Sequence, residues 1–189
     1  KFNIELYKDS PFHVPGLIEE EMVTLSRDKN PAFDFCETVY YLAMRDGKIV
    51  GRIAGIINNK SNEIWNQKHA RFGFVDFIDD AEVADALFAA VENWAKSKGM
   101  NALHGPMGFT DMDQEGMLIE GFDQLATIAT IYNFPYYPTP LDRLGYVKDQ
   151  DWHEFKIYIP EKNPEKHERI SEIVKTKFGL KVLKFTRTK

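Results

Sequence analysis

Asp46-Gly47 stands between two runs rich in β-formers, Glu37–Arg45 and Lys48–Asn59, and no other feature constrains the fold of this chain so tightly. A two-residue turn of this composition supplies the left-handed backbone that tight hairpins require, and its twist matches that of the flanking strands. The two runs therefore predict an antiparallel hairpin. Gly51 and Gly55 fall inside the second strand, where glycine signals a bulge or the close approach of another group. His69–Phe77, with Phe72, Phe74 and Phe77, predicts a third strand. Asp79 or Asp80 can then accept the free N–H groups of a helix start. Val83, Leu87, Ala90, Val91 and Trp94 recur at helical spacing through 81–98, and Gly99 provides a left-handed stop. Residues 101–105 restart as a strand. A hairpin followed by strand–helix–strand predicts an α/β (α+β) fold with a mixed, mostly antiparallel central sheet and helices on both faces.

The remaining segments are less constrained. Residues 2–7 alternate apolar and polar and predict a short strand. Pro11, Pro15 and Gly16 make 8–16 a loop, a short helix is expected through 17–26, and Asn30-Pro31 breaks the chain. Residues 58–68 are polar and loop-like. Gly105, Gly108, Gly116 and Gly121 punctuate a long connection, with a short strand expected near Met117–Ile119 and a short helix over 124–131. Tyr136–Leu144 predicts a helix closed by Gly145, and Tyr146–Ile159 a long strand. A helix (164–178) and a strand (180–187) end the chain. The Pro160–Pro164 segment is the best boundary. It divides a domain over 1–160 from a basic extension over 161–189, readable as the lead-in to a second related domain.

Charge and composition exclude several classes. The 189 residues suffice for one domain, and 43% hydrophobic with 28% charged residues is a globular balance. The net charge of −5 conceals a tail, 161–189, with nine Lys and Arg against four Glu. The body is acidic, which argues against nucleic-acid binding, and the tail's mixed charges read as a solvated face. Cys36 is the single cysteine, so no disulfide forms within the chain and a reducing, cytoplasmic setting is expected. No run approaches the ~18 apolar residues of a membrane span, and no charged-then-apolar leader opens the chain. The first residue is Lys1 and not Met, so further residues are expected upstream. His69, His104 and His153 are dispersed and no metal-ligand spacing occurs. His104, at the end of a strand, is the histidine with most claim to a role. Cys36 has no local activating partner. A nucleophile elbow, a phosphate loop and a dinucleotide fingerprint are all lacking.

The order of elements, with two stretches of sequence, resembles the GNAT superfamily of acyl-coenzyme A-dependent N-acyltransferases. Gly47-Lys48-Ile49-Val50-Gly51-Arg52-Ile53-Ala54-Gly55 looks like the second hairpin strand of such enzymes. Asn133 through Leu144-Gly145-Tyr146 is similar to their late motif, in which an asparagine precedes a helix ending in Leu-Gly and an aromatic. A closer resemblance, to a group of bacterial GNAT-like proteins, rests on five runs. They are Asn30-Pro31-Ala32-Phe33, Phe72-Gly73-Phe74, Gly105-Pro106-Met107, Ile119-Glu120-Gly121-Phe122-Asp123 and Tyr132-Asn133-Phe134-Pro135-Tyr136-Tyr137. Members of that group are often longer, with a second related domain.

The resemblance implies splayed central strands and transfer of an acyl group from acetyl-CoA or another acyl-CoA to a small-molecule amine or peptide acceptor, without a metal. Backbone groups of Phe74, Val75 and Phe77 would hold the pantetheine arm, and Asn133 would hydrogen-bond the ligand. Tyr136 or Tyr137 would protonate the leaving thiolate, and Glu115 or Glu120 would serve as base, with Asp111 and Asp113 nearby. Two departures stand out. The loop that binds pyrophosphate in the superfamily is glycine-rich, whereas Phe77-Ile78-Asp79-Asp80-Ala81-Glu82-Val83 has no glycine and three carboxylates, which compete with phosphate for helix N–H groups. The position of the superfamily's acidic tyrosine falls on Leu141, one turn after Tyr137. Two other readings stay open: a non-catalytic ligand-binding domain on the same fold, and half of a tandem acyl or aminoacyl transferase, with a homodimer or second domain as partner.

Overall fold

A computed structural model describes residues 1–127 and 130–184. The chain divides into two units, 1–150 and 151–189. In the first, strands β1 (Cys36–Arg45) and β2 (Lys48–Asn58) form the expected hairpin, with Asp46 and Gly47 at φ 50° and 75°. Strands β3 (His69–Phe77) and β4 (Ala102–His104) complete a four-stranded sheet in sequence order. The first two pairings are antiparallel and β3–β4 is parallel, as a strand–helix–strand connection demands.

The long helix α4 (Ala81–Ser97) lies on one face and buries Val83, Ala84, Leu87, Phe88 and Val91 against Ile53, Phe72 and Phe77. Gly51 and Gly55 make this packing possible. A Cβ on Gly51 would stand 2.7 Å from Leu87 Cδ1, and one on Gly55 2.9 Å from the Trp94 ring. Helix α1 (Phe2–Leu6), helix α2 (Ile18–Thr24) and a 3-10 turn (Pro31–Asp34) precede the sheet. A second cluster, Ala32, Cys36, Ala54, Ile56 and Phe109, packs Phe33 and Phe35 against the alternate residues of β2.

Several expectations change. Residues 2–7 form α1 and not a strand. Six alternating residues fit either period, and helical spacing sends Asn3 and Tyr7 to one side, where they bond Glu21 and Asp76. The polar stretch after β2 contains helix α3 (Asn59–Ile64), because the Asn58 side chain accepts the Ser61 N–H at 2.9 Å and caps it. Met117–Ile119 is not a strand; Leu118 bonds a side chain in place of a neighbouring strand. Residues 124–127 are not helical, and 128–129 of the expected 124–131 helix lie outside the described residues. Helix α5 (Pro138–Arg143) is shorter than Tyr136–Leu144, but Gly145 closes it at φ 85° as expected. Residues 146–159 and 180–184 pair with no strand among the described residues, and 185–187 are outside them. In the second unit, helix α6 (Glu165–Phe178) ends on left-handed Gly179. Trp152, Phe155, Ile157 and Ile159 are exposed. No helix among the described residues is long and apolar enough to cross a membrane.

Candidate functional site

The parallel pairing of β3 with β4 lasts three residues and ends at Arg71 opposite His104. Beyond it the chain leaves β4 through Gly105-Pro106 and stays on β3 through scattered contacts, the main-chain one being the Met107 N–H that donates to Phe72 O at 2.7 Å. Two glycines allow that approach. A Cβ on Gly73 would stand 2.1 Å from Met107 O, and one on Gly105 2.3 Å from Phe72 O. The runs Phe72-Gly73-Phe74 and Gly105-Pro106-Met107, distant in sequence, thus meet as one contact.

Past this contact β3 is irregular. Arg52 pairs with Asp76 and Ala54 with Gly73, so Phe74 and Val75 together oppose the single residue Ile53. This is a β-bulge, with Phe74 at φ 46°, and bulges re-aim side chains and free main chain from the ladder. Its result is the orientation of Asp76. Asp76 is 8% exposed and lies between Val75 and Phe77. It accepts the Tyr7 hydroxyl at 3.0 Å on Oδ1 and Arg52 Nε at 2.6 Å on Oδ2. The Arg52 guanidinium also binds both carboxylate oxygens of Glu21 on α2, through Nη1 and, at 3.3 Å, Nη2. Burial works against the Arg52 charge, but Asp76 and Glu21 outweigh it and hold the group firmly protonated. A buried pair of this kind is costly to desolvate and costlier to break, because the survivor is left unpaired.

Tyr137 lies against this cluster, 2% exposed. Its hydroxyl oxygen accepts the Phe77 N–H at 3.2 Å and stands 2.5 Å from Tyr7 Oη. With the Tyr7 proton committed to Asp76, Tyr137 donates to Tyr7. The result is a continuous chain, Tyr137 to Tyr7 to Asp76 to Arg52. Tyr136, half-buried beside it, donates to Phe77 O at 2.6 Å. The two tyrosines therefore occupy the main chain of Phe77 where β4 no longer runs alongside. Burial, then the field of Asp76, raises the Tyr7 and Tyr137 hydroxyls far above the ordinary phenol value, and burial with Asp79 raises Tyr136. All three are neutral proton donors at physiological pH. His13 completes the cluster, its ring 4.6 Å from that of Tyr7 and 5.9 Å from that of Tyr132.

The start of α4 is occupied by the chain's own carboxylate. Asp80 Oδ1 accepts the Val83 N–H at 3.1 Å, while Arg45 binds Asp80 at 2.6 Å and Glu82 at 2.9 Å. The Arg45 hydrogen bond and the Val83 N–H hold the Asp80 carboxyl below its ordinary range.

Of the residues singled out from the sequence, Phe74, Val75, Phe77, Tyr136 and Tyr137 are brought to one end of β3. Asn133, 3% exposed, clamps the backbone: Oδ1 accepts the Leu118 N–H at 2.7 Å, and Nδ2 donates to the carbonyls of Leu118 and Phe134 at 3.1 Å. Leu141 packs against the core. Glu115 is half-buried and Glu120 exposed, and no hydrogen bond among the described residues joins either to the tyrosines. Asp113 accepts the Thr110 N–H at 3.0 Å. His104 pairs with Asp149 at 3.0 Å. Cys36 is buried, which pushes its thiol up to about 11. Sequence reasoning passed over Tyr7, His13, Glu21, Arg52 and Asp76. The available signal was a charge within the apolar stretch of each strand, Arg52 between Gly51 and Ile53 and Asp76 between Val75 and Phe77.

The sequence is related to longer bacterial proteins. It is 37% identical over 150 residues to Protein YghO of Escherichia coli (strain K12), covering 79% of this chain and 38% of that protein. It is 29% identical over 147 residues to a bacterial ceramide synthase of Caulobacter vibrioides (strain NA1000 / CB15N), covering 77% of this chain and 38% of that one. The chain thus spans less than two-fifths of the length of these curated relatives. No protein-family model matches it.

Proposed function

We propose that this chain carries the site of a GNAT-type N-acyltransferase, which moves an acyl group from an acyl-CoA thioester to an amine. The observation that carries this reading is the end of β3, where a bulge at Phe74-Val75 and the departure of β4 leave main chain next to two neutral tyrosine hydroxyls, that of buried Tyr137 and that of half-buried Tyr136. Acyl transfer needs main-chain donors for the thioester arm and oxyanion, an acid for the thiolate and a base for the amine. Phe74 and Val75 supply the first; the expected contribution of Phe77 falls away, because its N–H and carbonyl are taken up by Tyr137 and Tyr136. Tyr136, the more accessible of the pair, supplies the second, and Tyr137 holds the strand end in place. Glu115 and Glu120 of the glycine-rich segment are the carboxylate candidates for the base, and Asn133 fixes that segment against the tyrosine-bearing turn. The relative named a ceramide synthase supports the reaction class, since a ceramide is an N-acylated long-chain amino alcohol.

The test is release of coenzyme A thiol from acetyl-CoA and palmitoyl-CoA, with and without sphinganine as acceptor. Amine-dependent release that falls at least about 100-fold in Tyr136→Phe supports the proposal; no release with any thioester and amine contradicts it. A second reading, that the site is completed by a further domain, is favoured by the exposed Trp152, Phe155, Ile157 and Ile159 and by the greater length of the relatives. It predicts turnover in a chain of the relatives' full length and none in the 189-residue chain.

A further inference from the structure

We propose that His13 is the general base of this site, accepting the proton that the attacking amine loses. The inference rests on the acyl-transfer reading and assigns a role to a residue outside every motif that suggested it.

His13 is placed by the turn that follows α1. The Ser10 N–H donates to Tyr7 O at 2.9 Å, and the Ala126 N–H donates to Phe12 O at 2.9 Å, so the main chain on both sides of the turn is fixed. The imidazole is half-buried between the rings of Tyr7 and Tyr132. Among the described residues neither of its nitrogens has a hydrogen-bond or ion-pair partner. Tyr137, Tyr7, Asp76, Arg52 and Glu21 are bonded in series, whereas His13 keeps a nitrogen lone pair for a ligand, which the neighbouring Tyr132 phenol, a weak acid, does not offer as a base. The ionisable groups facing it are Tyr7 from α1, Tyr132 from the segment before α5 and Asp76 from β3. Arg52 of β2 and Glu21 of α2 hold Asp76 in turn. Burial lowers the His13 pKa below its ordinary 6.5, against a smaller opposing pull from Asp76. Its neutral form, with a free lone pair, therefore prevails at neutral pH, as a base requires.

The step balances without any further reagent. The amine nitrogen attacks the thioester carbonyl carbon; the new C–N bond forms, and one N–H proton passes to the imidazole. The C–S bond then breaks, and the thiolate takes the Tyr136 hydroxyl proton. Exchange with water returns a proton from His13 to the tyrosinate and resets the site.

The experiment measures thiol release by the 189-residue chain from palmitoyl-CoA with sphinganine across pH, in wild type, His13→Gln, Glu115→Gln and Glu120→Gln, with palmitoyl-CoA binding followed separately by calorimetry. The expected result is a rising limb of kcat/KM with its midpoint below 6.5 that vanishes in His13→Gln. There kcat falls at least about 100-fold while KM for the thioester stays within about twofold. Both Glu variants keep the limb. His13→Ala regains turnover with added imidazole, which a purely structural role would not allow. A rising limb that survives in His13→Gln, or that is lost in Glu115→Gln or Glu120→Gln instead, overturns the assignment while leaving acyl transfer intact. A wild type that never releases thiol, in the 189-residue chain and in a chain of the relatives' full length alike, overturns the acyl-transfer reading, and the role of His13 falls with it.

Discussion

Asp76 shows how much one residue can organise. Its carboxylate sits buried between Val75 and Phe77 only because Arg52 answers it from the neighbouring strand and Tyr7 from the end of α1, and the three tyrosines around it acquire their properties first from burial and then from nearby carboxylates. The consequence is a pH dependence with a defined sign. Tyr7, Tyr136, Tyr137 and Tyr146 have folded-state pKa values raised above the ordinary 10.0. Their contribution to stability is therefore complete below pH 10 and is lost as pH rises above it, because the unfolded chain releases those protons first. Burial also raises Tyr40, and absorbance titration is expected to show at least the first four of the eight tyrosines still neutral at about pH 11. They should then ionise together in a step that coincides with loss of circular dichroism. Gradual ionisation of all eight near pH 10, with the fold intact, would contradict the buried network.

At the scale of elements, the contacts that matter are those that shape the end of β3. Gly73 admits the Met107 carbonyl, and a methyl group there has nowhere to go. Gly73→Ala is expected to cost about 3 kcal/mol in urea unfolding, at the upper end of overpacking effects, whereas Gly116→Ala, with open space around its Cβ position, strains only the turn. The start of α4 gives the second prediction. Asp80→Ser retains a capping oxygen, removes a negative charge and leaves Arg45 held by exposed Glu82 alone, where phosphate can compete for it. Acyl-CoA affinity at low salt is expected to rise about fivefold, and the gain should shrink at high salt. An unchanged affinity would place the pyrophosphate elsewhere.

Much of this scale was legible in the sequence. Asp46-Gly47 gave the hairpin, the spacing from Val83 to Trp94 gave α4, and Asp80 and Gly99 gave its ends. Residues 2–7 misled because alternation over six residues does not distinguish a strand from a helix whose polar groups bond partners elsewhere in the chain. Residues 146–159 misled because strand-like composition becomes a strand only beside a partner. The Arg52–Asp76 pair escaped because register across a bulge cannot be counted from one sequence.

For the whole molecule, the sheet and α4 form a rigid support on which residues from α1, the 8–16 turn, α2, β2, β3 and the segment before α5 converge. Only tertiary structure brings Tyr7 and Tyr137 to 2.5 Å, and the site is accordingly more widely distributed than any motif. Under the proposed function this convergence binds acyl-CoA despite the acidic start of α4. Calorimetric titration of palmitoyl-CoA and acetyl-CoA into the 189-residue chain tests that most directly. The account predicts saturable one-to-one binding with a Kd of about micromolar, about −8 kcal/mol, that weakens in Tyr136→Phe. Absence of heat for either thioester, at low as well as moderate salt, would contradict it.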